Sequence, residues 1–152
     1  VPAFQPGSRA IKREHAVLLD YAPEWLDEPV ARTGGALTAL RRSADALGAK
    51  VVVVPIPAHS AIDPDYRAIH EANLGLAGIA WSADRPVDLF LALAAASRLP
   101  TLDVRSTFRA LREQSGPLYF QKDWHINARG NKVLADYLYE ELDRLELGPT
   151  RP

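Results

Sequence analysis

Cysteine is absent from the chain, which excludes disulfides, thiolate nucleophiles and cysteine metal sites, and with them the small disulfide-stapled scaffold. Charge of one sign is missing as well: 18 basic against 19 acidic residues leave a net charge of -1. No bulk field then draws the chain to phosphate backbones or anionic lipid, and no nucleic-acid partner is expected. Long apolar runs are lacking. The stretches at Val51–Val54 and Leu89–Ala96 fall far below the ~18–20 residues of a membrane-spanning helix, so no such segment is expected. No glycine-rich loop follows an apolar run, which disfavours a phosphate-binding regulatory domain. The opening Val1-Pro2-Ala3-Phe4 carries neither a start methionine nor a signal-peptide pattern, and points to a processed or partial chain.

What is present is globular: 152 residues, 47% hydrophobic and 24% charged, suited to a single domain. Two prolines and a glycine break residues 2–8. Ala10–Tyr21 reads equally as a buried strand or a short helix, and Pro23 and Pro29 bracket a loop or single turn. From Ala36, residues Leu37, Leu40, Ala44 and Leu47 recur at helical spacing, opposite Arg41, Arg42 and Asp45, and Gly48 stands where a left-handed glycine ends a helix. Val51-Val52-Val53-Val54 follows, a β-branched run without alternation that predicts a central parallel strand. A second helix spans about 86–98 with Pro86 in its first turn, then a short strand at Thr101–Val104. Ser106 is placed to cap a helix through about Glu113, and Gly116-Pro117 ends it before an extended Leu118-Tyr119-Phe120. Val133, Leu134, Tyr137, Leu138, Leu142 and Leu145 form the stripe of a final helix. Helices alternating with apolar strands predict a three-layer α/β/α sandwich with a mainly parallel sheet.

In such a sheet, ligands bind beyond the carboxyl ends of strands, here at Pro57–Ser60 and Gln121–Asn127. Asp123 and His125 stand two apart in a turn, a spacing that lets the carboxylate hold Nδ1 of the imidazole while Nε2 faces a reacting hydroxyl. A free imidazole titrates near ~6.5 and so serves as a base near neutrality. Asn127 suits the N-cap of the last helix, and Gly130 removes a side chain where another backbone comes close. Taken alone, an Asp-Trp-His turn is better read as a structural feature, and it is Asn127, Gly130 and the upstream order that favour a catalytic block.

The block Leu118-Tyr-Phe-Gln-Lys-Asp123-Trp-His125-Ile-Asn127-Ala-Arg-Gly130-Asn-Lys-Val-Leu-Ala135-Asp-Tyr-Leu138 resembles the C-terminal block of SGNH hydrolases, the GDSL-type esterases and related O-acetyltransferases. The upstream order of helix, Gly-Ala, valine-rich run ending in Ile-Pro, and short Leu-Asp segment agrees, so the resemblance extends loosely over 34–145. It implies the flavodoxin-like SGNH fold, with His125 as catalytic base and Asp123 as its orienting carboxylate. It further implies a small-molecule or glycan acyl ester as substrate and an extracytoplasmic location, as a lipase-like hydrolase or as an O-acetyltransferase. A non-catalytic module of the same fold is the third reading.

Two departures matter. The commoner esterase form is Asp-x-x-His, whereas this chain has Asp-x-His. The family's Gly-Asp-Ser nucleophile and Gly-x-Asn-Asp oxyanion block do not occur, so the expectation is that an N-terminal segment carrying the nucleophile is missing and that this chain alone is inactive. Ser60 follows an expected strand but lacks the glycine-flanked elbow of a nucleophile, and Ser8 has a glycine but no preceding strand. His59 reads first as a loop hydrogen-bonder and second as a substrate contact. Trp124 is a packing residue or the wall of a substrate cleft. His15 and His70 lie in charged surroundings that a solvated face explains. Asp63-Pro64-Asp65 reads as a turn opening a helix. No two of the four histidines have helical metal-ligand spacing, and neither metal nor cofactor is expected.

Overall fold

A computed structural model describes residues 13–21, 23–122 and 124–147. Among the described residues, a 3-10 turn at Arg13–Leu18 and another at Glu24–Leu26 are followed by six helices: α1 (Asp27–Ala46), α2 (His59–Ile62), α3 (Pro64–Leu74), α4 (Arg85–Ala96), α5 (Arg105–Ser115) and α6 (Ala128–Arg144).

Local chemistry sets their ends. Helix α1 begins well before the expected Ala36, because Pro29 falls within its first turn, where a backbone N–H has no intrahelical partner and its loss is harmless. Gly48 follows at φ 64°, as the sequence predicts. Asp63 caps α3, its carboxylate accepting from the amides of Asp65 (3.0 Å) and Tyr66 (3.4 Å), with Pro64 in the first turn. Ser106 does not cap α5. It lies inside the helix, which starts at Arg105 with Val104 at the N-cap and no side-chain cap, while Asp103 just ahead accepts from the Arg105 amide at 3.1 Å.

The expected parallel sheet, and with it the three-layer α/β/α sandwich, is not what this chain forms. Among the described residues β pairing is confined to three isolated bridges: Leu19 with Trp81, Val53 with Thr101, and Tyr119 with Ile126. The valine run makes one parallel cycle, Val53 N–H to Pro100 O and Leu102 N–H to Val53 O, each 2.9 Å. Pro55, Pro57 and Pro100, which lack an N–H, flank that cycle, and a ladder cannot extend past residues with no donor. Val51 to Val54 are half-buried, not covered on both faces. An apolar run of this length does not by itself distinguish a sheet strand from an extended segment packed on helices.

Among the described residues, three apolar clusters replace a single sheet-backed core. Leu37, Ala94 and Leu99 join α1 to α4, with Val51, Val53, Phe90 and Leu93 packed against them. Ile62, Val104, Phe108, Leu118, Tyr119 and Val133 join α2, α5 and α6. Ala16, Leu19 and Leu76 form the third, beside Trp81. Arg105, Arg109 and Arg112 recur along α5 and tie the parts together. Arg105 pairs with Asp84, Asp88 and Asp103; Arg109 binds Asp84 and the Ala61 carbonyl; Arg112 binds Asp63 and Asp65. The extended 51–57 segment thus lies between the first two clusters, and its end opens onto a cavity.

Candidate active site

The turn between Phe120 and Asn127 is built from backbone bonds and one side chain. Tyr119 bridges Ile126, the Phe120 amide donates to the His125 carbonyl (3.1 Å), and the Asn127 amide donates to the Leu118 carbonyl (2.9 Å). Asn127 uses its whole amide: Oδ1 accepts from Gly130 N–H at 2.9 Å, and Nδ2 donates to the carbonyls of Pro117 (3.0 Å) and Tyr119 (3.1 Å). It therefore caps α6 and closes the turn in one residue. Gly130 is buried, and a Cβ there would lie 2.3 Å from the Leu118 carbonyl oxygen, so only glycine lets α6 approach this strand-like segment.

His125 is exposed on this turn, and Trp124 beside it is 66% exposed. Asp123 lies outside the described residues, so its relation to His125 is not part of the described geometry.

The second site expected from sequence, Pro57–Ser60, is buried at Pro57, His59 and Ser60 and exposed only at Ala58, rather than an open loop. His59 opens α2 with 5% of its surface exposed and Ser60 has 3%. The His59 ring is stacked between Tyr66 (centroids 3.8 Å apart) and Tyr119 (4.7 Å). Its Nε2 stands 3.7 Å from Asp63 Oδ2, and Asp63 is gripped by Arg112 through Nη2 (2.9 Å) and Nε (3.2 Å). Burial would push the Asp63 carboxyl up, but the Arg112 guanidinium and the Tyr66 and Asp65 amides outweigh it and hold the group below the usual carboxylate range. Burial lowers the His59 pKa, Asp63 opposes that, and Arg112 reinforces it, with a net downward shift, so the imidazole is neutral at pH 7. Tyr119 donates its hydroxyl to the Pro57 carbonyl at 2.6 Å, and burial raises its pKa far above the ordinary phenol value.

His70 departs from the expectation of a solvated face. It is half-buried on α3, one turn after Tyr66, with Trp81 edge-on (6.3 Å) and Trp124 tilted against it (6.1 Å). Burial, then the neighbouring His15, lowers its pKa. The signal was available: Tyr66 and His70 at i and i+4 share a helix face, as do His59 and Asp63.

These residues converge. His59, Ser60, Tyr66, His70 and Trp124 line one cavity of about 570 Å³, walled by Val53, Val54, Phe90 and their neighbours. His125 is not among its lining residues, but its chain neighbour Trp124 is. Among the described residues no cluster of three acidic or histidine side chains could hold a metal, and no helix is long and apolar enough to cross a membrane.

Residues 19–152 match the family described as SGNH hydrolase-like domain, acetyltransferase AlgX. The chain belongs to this family. The match includes the 119–126 turn and the whole cavity, so both belong to the part of the chain that carries the SGNH hydrolase-like character. Neither a curated protein nor a solved structure matches the chain.

Proposed function

We propose that residues 1–152 supply the base and its orienting carboxylate for acyl transfer from an ester, His125 accepting the proton of a serine and Asp123 holding its imidazole. The observation that supports this most is the placement of His125: exposed on a turn fixed by Asn127 and Gly130, next to a tryptophan that lines the cavity of about 570 Å³. In this reading the serine, for which no Gly-Asp-Ser stands in the sequence, comes from polypeptide outside residues 1–152.

The steps follow from ordinary triad chemistry. His125 takes the hydroxyl proton as the serine oxygen attacks the ester carbonyl, then returns it to the departing alkoxide, leaving an acyl-enzyme. A second hydroxyl, from a glycan or small acceptor, repeats the sequence in reverse and carries the acetyl group away. The description of the family as an acetyltransferase favours a hydroxyl acceptor over water. Hydrolysis of the same acyl-enzyme is the second reading, and the exposure of the turn to solvent favours it. The family resemblance supports an extracytoplasmic location.

A fluorophosphonate tests the serine and base together. The 152-residue chain stays unlabelled; a polypeptide in which the serine is joined to these residues is labelled, and His125→Ala abolishes the labelling. Labelling of that polypeptide undiminished by His125→Ala removes His125 from the reaction. Comparing acetyl release to water with acetyl appearing on a glycan acceptor separates hydrolase from transferase.

A further inference from the structure

Rings, not hydrogen bonds, hold His70 in place. Its Nδ1 is buried without a hydrogen-bond partner. Its ring meets four others: Tyr66 one turn earlier on α3 (centroids 6.3 Å apart), His15 of the Arg13–Leu18 turn (6.4 Å), Trp81 edge-on (6.3 Å) and Trp124 (6.1 Å). The segments of His15 and Trp81 are also joined by backbone, since Leu19 bridges Trp81 and the Ser82 amide donates to the Leu18 carbonyl at 2.8 Å. The turn that carries Trp124 is different. Backbone bonds fix its base, at Tyr119–Ile126 and Phe120–His125, and the ring contact described for its tip is Trp124 on His70.

Trp124 and His125 share one planar peptide unit, so a swing of the tryptophan turns that unit and re-aims the imidazole beyond it. A base that is misaimed by a small distance loses much of its effect. The identity of residue 70 adds a second point. A phenyl ring there would pack as well and leave no buried nitrogen without a partner, whereas an imidazole brings a site for a proton. The groups that face the ring are His15, Tyr66, Trp81 and Trp124, with the Arg67 guanidinium over Trp81 at 5.0 Å, and no carboxylate pairs with it among the described residues. Burial, then His15, lowers the His70 pKa, so the packed position suits the neutral ring and proton uptake favours its release.

We propose that His70 is a positioning residue for the 119–126 turn, its ring holding Trp124, and through it the peptide that aims His125, against α3. The neutral ring does this, and acid loosens the grip. That the grip matters to turnover rests on the reading of His125 above; the contact itself does not.

Fluorine NMR of the 152-residue chain carrying 5-fluorotryptophan reads the contact, with resonances assigned by exchanging Trp25, Trp81 and Trp124 in turn for Phe. As pH falls, the Trp124 resonance titrates with a midpoint below the ~6.5 of a free imidazole and moves toward its position in the urea-unfolded chain. The step persists in His125→Ala. His70→Phe removes the step and keeps Trp124 away from the unfolded position, whereas His70→Ala brings it there at every pH. In the serine-containing polypeptide at high pH, His70→Ala lowers kcat for acetyl-ester turnover by roughly 2- to 10-fold with KM within about twofold, the worth of one aromatic pair, and His70→Phe restores it. A Trp124 resonance that does not titrate in the wild type, or a step that survives His70→Phe, overturns the proposal, and neither result needs His70→Ala to fold. An unchanged kcat in a folded His70→Ala polypeptide whose turnover His125→Ala abolishes overturns it as well. If His125→Ala leaves turnover intact, the reading of His125 fails while the fluorine titration still decides the contact.

Discussion

Replacing Gly130 by alanine isolates the contact that positions the 119–126 turn. In an exposed helix interior the change is favourable by up to ~1 kcal/mol, because glycine has more freedom to lose on folding. Here the new Cβ would sit 2.3 Å from the Leu118 carbonyl oxygen and 3.1 Å from Ile126 Cβ. The obstacle is backbone, already fixed by the Asn127 amide at 2.9 Å, so it cannot swing aside as a side chain can. Moving α6 outward instead stretches that bond and the Asn127 cap, each about 1 kcal/mol, on top of an overpacking penalty of about 1–3 kcal/mol. After the propensity gain is subtracted, Gly130→Ala destabilises by about 2–4 kcal/mol, or roughly 5–10 °C in Tm. Urea denaturation with an unchanged m-value measures it. Gly35→Ala on α1, where a Cβ meets nothing within 4 Å, is the matched control and raises stability by about 0.5–1 kcal/mol. If Gly130→Ala is neutral or stabilising, the close approach of α6 to Leu118 is wrong.

Other consequences are equally direct. Asn127→Asp keeps the cap acceptor but turns a carboxylate toward the Pro117 and Tyr119 carbonyls, so it destabilises by about 2 kcal/mol or more where an ordinary Asn-to-Asp cap exchange is near neutral; thermal melts at pH 7 read this. Tyr119→Phe removes the buried bond to the Pro57 carbonyl and lowers stability by about 1–2 kcal/mol in the same assay. The pKa values of His59 and His70 are lowered in the folded chain, so the unfolded chain binds more protons as pH falls. Stability is therefore full above about pH 6.5 and declines as pH drops through that value toward the folded pKa values, and His70→Asn shallows the decline. A separate loss follows at lower pH, as Asp63 and Asp103, held below their ordinary range, take up protons. Arg112→Leu moves the Asp63 part of that acid limb to higher pH, which a pH titration of denaturant midpoints detects.

Much of the helical layout is legible in the sequence because it rests on local chemistry. Gly48, the Asp63-Pro64 start and the Asn127 cap each act within three or four residues, and each has its expected place. Long-range pairing is a different matter. The Val51–Val54 run carries strong β propensity, yet propensity describes fit to a pleated surface and does not supply the neighbour, which here is one residue of the Thr101 segment. The α/β expectation failed there. His70 was misread because its charged sequence neighbours, Glu71 among them, say nothing of Trp81 and Trp124, which approach from distant segments. The spacing of the α5 arginines does not show their purpose, since apart from Asp103 and Asp88, both paired with Arg105, their carboxylate partners lie some 20 to 50 positions away. For the turn itself, sequence spacing remains the source of the Asp123–His125 pairing.

The central claim is that His125 moves the proton in acyl transfer, and the most direct measurement is kcat/KM for acetyl-ester turnover by the serine-containing polypeptide, wild type against His125→Ala, with thermal melts confirming equal folding. A fall of roughly a thousandfold or more is predicted, the loss seen when a triad base is removed. A fall of less than about tenfold, with the fold intact, contradicts the assignment.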